Sequence, residues 1–217
     1  MTTAAVEPIV ESESRSFVLE GISWELYTRL REETDENHQH IRMIYDEGRL
    51  VLMSPMLPKH ERIKTVVARL IEDLTLELNI PMEGLGSTTW RREDLAKGLE
   101  ADECFYIQHQ AEILRKERIE LPENPPPDLA IEVDITHHPK SRQAIYASLG
   151  VGELWQYDGA RINFYILSDR GKYESVSTSR ALPITSDDVN RFLAMLGSVD
   201  QTALLKSFRQ WVRSRGA

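Results

Sequence analysis

The chain has 217 residues and a mass of 25.0 kDa, enough for one sizeable hydrophobic core. Its composition, 41% hydrophobic and 28% charged, is that of a globular protein in water, and no apolar run approaches the roughly 20 residues that would span a bilayer. A net charge of −9 argues against a protein that coats nucleic acid without specificity, because such binding depends on Lys and Arg neutralising phosphates.

Residues 1–16 are acidic, poor in apolar side chains and without a secretory pattern, so a flexible arm is expected ahead of a single domain over 17–217. The lone Cys104 cannot form an intramolecular disulfide, which fits a reducing cytoplasm, and it reads as a small buried hydrophobe. Ser23 caps a short helix carrying Trp24, Tyr27 and Leu30. Ile41, Met43 and Tyr45 alternate into a DEGR turn and then LVLM, which predicts a hairpin. After MSPMLP, the residues Ile63, Val66, Val67, Leu70, Ile71, Leu74 and Leu78 recur at helical spacing, and Pro81, Gly84 and Gly86 end that helix.

STTWRR (87–92) and ADECFYI (101–107) have strand composition, followed by a polar connection to Pro127. A third strand begins at Asp128. Pro139 then suits a first helical position, Ile145, Tyr146 and Leu149 form an apolar face, and Gly150 is a stop. ELWQY, RINFYIL and YESV read as further strands, with helices at FLAML and LLKSFRQWV. The middle therefore runs helix, strand, strand, strand, helix, strand, and Asp128–Tyr157 is long enough for a parallel crossover. The expected fold is α/β, a mixed sheet with helices packed on it.

The stretch PPPDLAIEVDITHHPK carries the chemistry. Leu129, Ile131, Val133 and Ile135 leave a strand on one side, and Asp128, Glu132 and Asp134 on the other. Burying such a row is costly unless water, a cationic side chain or a divalent ion compensates it. Asp102, on the preceding strand, could bracket an ion with Glu132. The competing explanation is that Asp102 and Asp128 cap strand starts while Asp134 lies exposed at a strand exit. That explanation is preferred for Asp128, and it is weakest for Glu132, which sits mid-strand between apolar neighbours.

Helical phase adds two candidates. Arg142 shares the face of Ile145, Tyr146 and Leu149 and should point back to the carboxylate strand, whereas Lys140 should face solvent. His60 shares the phase of Ile63, Val67 and Ile71, and Glu61 does not. A lone His on an apolar face is more often a core residue than a ligand. His137 and His138 are explained by capping or exposure. The clusters Arg91, Arg92 and Lys97; Arg115, Lys116 and Arg118; and Lys206, Arg209, Arg213 and Arg215 read as solvated faces. No spacing suits a zinc site, a phosphate loop or a serine elbow.

Asp102 at one strand start, followed by a strand bearing Glu132, resembles the PD-(D/E)XK nuclease superfamily. MSPMLPKHE, GSTTWRRED, LEADECFYI, PPPDLAIEVDIT and IYASLGVGELWQYD together resemble, from about Trp24 to the last helix, the Uma-type restriction endonuclease family, a domain of unknown function. The resemblance implies a restriction-endonuclease-like core with an N-terminal hairpin and C-terminal helices. It further implies a Mg²⁺ (or Mn²⁺) dependent endonuclease acting on DNA, with Asp102 and Glu132 as metal ligands and Arg142 beside them; the carboxylate row adds Asp134 as a candidate third metal ligand, and helical phase adds His60 as a candidate catalytic residue. The superfamily lysine would fall at Asp134, or, as in this family, at Arg142; both are departures. Arg can stabilise charge on a phosphorane but cannot readily give up a proton.

Two other classes remain open: a nuclease-fold DNA-binding or regulatory module without the chemistry, and a hydrolase of a smaller phosphodiester. A homodimer is an expectation by analogy, since two-fold symmetry serves the cutting of both strands.

Overall fold

The computed structural model of the protein describes residues 16–38, 41–53, 58–134 and 139–215. The predicted arm lies outside the described residues except for Ser16, and so do His137, His138 and the side chain of Lys140.

Strand β1 (Ser16–Leu19) and helix α1 (Trp24–Glu36) precede the hairpin β2 (Arg42–Asp46) and β3 (Arg49–Met53). Ser23 caps α1 as expected, its side chain accepting the Leu26 N–H at 3.2 Å. The long helix α2 (Pro58–Leu78) follows, then the two-residue β4 (Glu83–Gly84), β5 (Thr89–Arg92), β6 (Lys97–Glu100) and β7 (Glu103–Tyr106). A short helix α3 (Gln110–Ile113) sits in the polar connection to β8 (Leu129–Val133). Helix α4 (Pro139–Leu149) crosses over to β9 (Glu153–Tyr157), and β10 (Ile162–Leu167), β11 (Tyr173–Val176), α5 (Ser186–Leu193) and α6 (Gln201–Arg215) complete the chain.

The strands form two sheets, not one. A six-stranded sheet runs β11-β10-β9-β8-β7-β4, and a five-stranded sheet runs β1-β3-β2-β6-β5. β8 and β9 are parallel across the α4 crossover, and β7 lies antiparallel to β8. The helix, three strands, helix, strand order of the core holds, but its first strand is the short β4. The STTWRR segment, expected there, goes to the other sheet: a 3-10 turn at Glu93–Leu95, closed by Ala96 at φ 49°, folds the chain back so that β6 pairs with β5 and β2. The last helix-pair also shifts. A capping box, Thr185 with Asp188, starts α5, and it ends at Leu193, short of the predicted reach through FLAML.

Side-chain alternation then assigns the layers. Leu129, Ile131 and Val133 point from β8 into a core shared with α2, α5 and α6, where Trp155 and Phe164 stack with centroids 4.0 Å apart. Leu129 and Ile131 are fully buried, each contributing about 1.5–3 kcal/mol, so Ile131→Ala would cost about 2–5 kcal/mol. On the opposite face, Ala130 packs with Cys104, Leu154, the α4 residues Ile145, Tyr146 and Leu149, and with Ile44, Trp90 and Leu99 from the second sheet. The outer side of that second sheet, Met43, Tyr45 and Leu50, is closed by Tyr27 of α1. Gly98 allows this approach, because a Cβ there would lie 2.6 Å from the Tyr27 hydroxyl oxygen. Gly150, at φ 84°, stops α4 as predicted. Among the described residues no helix is long and apolar enough to cross a membrane.

The two sheets thus face each other across a second core, and Arg42, alternating with Met43, points into it.

Candidate active site

Pairing of Glu103 with Ile131 carries Asp102, just before β7, to the level of Glu132 on β8. Both are buried, Asp102 4% and Glu132 1% exposed. Asp102 is held from both ends: its carbonyl accepts Ser87 Oγ at 3.0 Å, and its Oδ2 accepts the Val133 N–H at 2.7 Å. Glu132 shares the face of Ala130 and so meets α4. There Arg142 and Tyr146, one helical turn apart, both reach it. Arg142 Nη1 donates to Glu132 Oε2 at 2.7 Å, and the Tyr146 hydroxyl donates to Oε1. Burial together with the Glu132 charge raises the Tyr146 phenol well above its ordinary range, so it stays a neutral donor.

Arg42 completes the cluster from the second sheet. Its Nη1 donates to Asp102 Oδ1, and its Nη2 lies 3.0 and 3.3 Å from the two Glu132 oxygens. The same guanidinium donates through Nε and Nη2 to the Glu100 carbonyl at 3.2 and 2.8 Å. Burial disfavours its charge, but Asp102 and Glu132 outweigh that and raise its pKa beyond the ordinary value; it is a permanent cation here. Two guanidinium charges therefore stand against the two carboxylates.

His60 is buried on α2 with Nε2 3.3 Å from Asp102 Oδ2 and Nδ1 3.3 Å from Glu61 Oε1. Burial opposes its protonation, yet contact with Asp102 outweighs this and its pKa is raised. Burial likewise pushes the Asp102 carboxyl up, but Arg42 and His60 overcome it and bring it down to about 2. Asp134 is 4% exposed, not at an open strand exit, and its N–H donates to the Tyr157 carbonyl at 2.8 Å. Asp128 does cap: its carboxylate accepts the Ile107 and His109 N–H groups at 2.7 and 3.1 Å.

The ligand set expected from the sequence, Asp102 with Glu132 and Asp134, is not assembled as a metal centre. Among the described residues no three His, Cys, Asp or Glu side chains are arranged to hold an ion. The oxygens of Asp102 and Glu132 do converge, but the point of convergence is filled by the Arg42 guanidinium. Arranged this way, the pair does not fit Mg²⁺ or Mn²⁺, which needs several free oxygen donors around it.

Arg42 and Tyr146 are the site residues that sequence reasoning missed. In the sequence Tyr146 stands out only as part of an apolar helix face. The signal for Arg42 was present: a mid-hairpin cation between Ile41 and Met43 poses the same question as a mid-strand Glu132.

A cleft of about 630 Å³ lies between the start of α2, the β9–β10 turn and α5. Lys59, Arg62, Tyr157, Arg161 and Asn190 line it, and Tyr157 is the residue whose carbonyl holds Asp134. Lys59 and Arg62 are exposed and make no ion pair among the described residues, while Arg161 pairs with Asp187 at 3.1 Å.

An acidic pair on adjacent strands, a crossover helix supplying a cation and a mixed sheet between helices define a nuclease-type α/β protein. The chain belongs to the Uma2 family, described as "Putative restriction endonuclease", whose profile matches residues 24–191. No curated protein matches it. In fold it is similar to the crystal structure of a "putative nuclease belonging to DUF820" from Anabaena variabilis ATCC 29413, with a TM-score of 0.50 and 15% identity, covering 69% of this chain and 89% of that one.

Proposed function

We propose that this protein is an endonuclease that hydrolyses phosphodiester bonds in DNA at the Asp102–Glu132–Arg142 cluster. The observation that carries the reading is the convergence at one buried point of Asp102 and Glu132 from adjacent strands with Arg142 from the crossover helix. Those are the positions that the family resemblance marks for the chemistry.

Within that reading, each residue has a task set by its surroundings. Arg142 supplies fixed positive charge against the charge that builds on a phosphorane. His60, whose protonated form is favoured by contact with Asp102 against the opposing effect of burial, is assigned as the proton donor to the leaving oxygen, and Asp102 orients the ring. Lys59 and Arg62, exposed and without an ion pair among the described residues, supply a phosphate-binding edge at the start of the helix that carries His60. A homodimer would present two such sites to a duplex, and a cytoplasmic location would fit the free thiol.

A second reading, a nuclease-fold DNA-binding or regulatory module, is favoured by one observation: both carboxylates are already neutralised by buried guanidiniums. The two readings separate in one assay. Purified protein is incubated with supercoiled plasmid in EDTA, Mg²⁺ or Mn²⁺, beside Glu132→Gln, and binding is followed on the same DNA. Nicking that is lost in Glu132→Gln supports the enzyme. Binding without nicking supports the module, and equal nicking by both proteins overturns the assigned site.

A further inference from the structure

The oxygens of the carboxylate pair can be accounted for one at a time. Asp102 Oδ1 accepts from Arg42, and Oδ2 accepts from the Val133 N–H with His60 beside it. Glu132 Oε1 accepts from Arg42 and from Tyr146, and Oε2 from Arg142 and again from Arg42. Each oxygen is thus engaged by at least one charge-assisted hydrogen bond.

Arg42 is not a side chain that has swung in from an open edge. Its strand is bonded on both sides, to β3 and to β6, and its guanidinium is tied by two hydrogen bonds to the Glu100 carbonyl. Glu100 in turn pairs with Arg31 of α1 at 3.1 Å. The fork geometry matters as much as the charge. One planar guanidinium spans Asp102 and Glu132 together, which a lysine ammonium, a point charge, cannot do in the same way.

We infer that Arg42 is the resident cation of this carboxylate pair, occupying the place of a divalent ion, so that such an ion enters between Asp102 and Glu132 only when the Arg42 charge is withdrawn. The inference rests on the location of the site proposed above and not on the reaction there. Its test reads ion binding, so its failure is distinct from a failure of the nuclease reading.

The probe is Mn²⁺ alone, followed by the electron paramagnetic resonance of the free ion and by calorimetry on the full chain. Wild type is expected to take up no stoichiometric Mn²⁺ at concentrations up to about 1 mM, the weak end of built oxygen-ligand sites. Arg42→Met is expected to bind one ion per chain at least about tenfold more tightly, and Arg42→Met with Glu132→Gln to lose it. Wild-type binding of one Mn²⁺ that disappears in Glu132→Gln overturns the inference, as does a folded Arg42→Met with no gain. Should Arg42→Met fail to fold, Arg42→Gln, which also removes the charge but keeps amide donors, is read in the same way: tighter Mn²⁺ binding than wild type supports the inference, and binding equal to wild type overturns it.

Discussion

Arg42 and Glu132 lie 90 residues apart in the chain, on different sheets, yet Nη2 of one is 3.0 Å from Oε1 of the other. Both are more than nine-tenths buried, so the pair joins the sheets in a region that water does not screen.

Removing one partner of such a pair leaves the other charged and unpaired. Arg42→Ala should therefore lower unfolding stability by about 3–5 kcal/mol, read from urea denaturation. The double variant Arg42→Ala with Glu132→Gln should cost less than the sum of the single changes, because the stranded carboxylate is gone.

The pH profile should show two edges. Asp102 has its folded pKa brought down from 3.8 to about 2, so its stabilisation is complete above 3.8 and is lost as pH falls through 2. His60 is raised above 6.5, so its contribution is complete below 6.5 and fades as pH rises through the folded pKa. Thermal unfolding across pH should show Asp102→Asn flattening the acid edge and His60→Gln flattening the upper one.

Much of this site was legible in the sequence, and the reason is periodicity. A period of two separated Glu132 from Leu129, Ile131 and Val133, and helical phase turned Arg142 and His60 inward. Those rules act within one element. Arg42 escaped because its partners come from another sheet, and nothing within β2 says what its inner face meets. The sheet exchange of STTWRR escaped for a related reason: strand composition does not say which neighbour a strand pairs with, and the left-handed Ala96 that folds the chain back carries no glycine signal.

Arg142→Lys should raise plasmid nicking, by a factor on the order of 10² where proton transfer limits the rate, since a lysine can give up a proton that arginine retains. The pH–rate profile is the check. A new basic limb should accompany the gain; a faster rate with an unchanged profile would point to altered packing instead.

The cleft makes an electrostatic prediction. Charge reversal at Lys59 and Arg62 should weaken DNA binding uniformly across sequences and reduce the slope of log K against log salt by about 2, near 0.9 for each lost phosphate contact. Fluorescence anisotropy at several salt concentrations measures both. Reversal at Arg213, which is paired with Glu77 on the far end of α2, should leave that slope unchanged.

Cys104, two residues along the chain from Asp102 and paired with Ala130 of β8, is fully buried, and burial holds its thiol up at about 12. A maleimide therefore reacts only with molecules in which the core between the two sheets has opened, and the labelling rate becomes a clock for that opening. Ligands that tighten the junction of the two sheets should slow the clock even when they cause no visible change in the folded state.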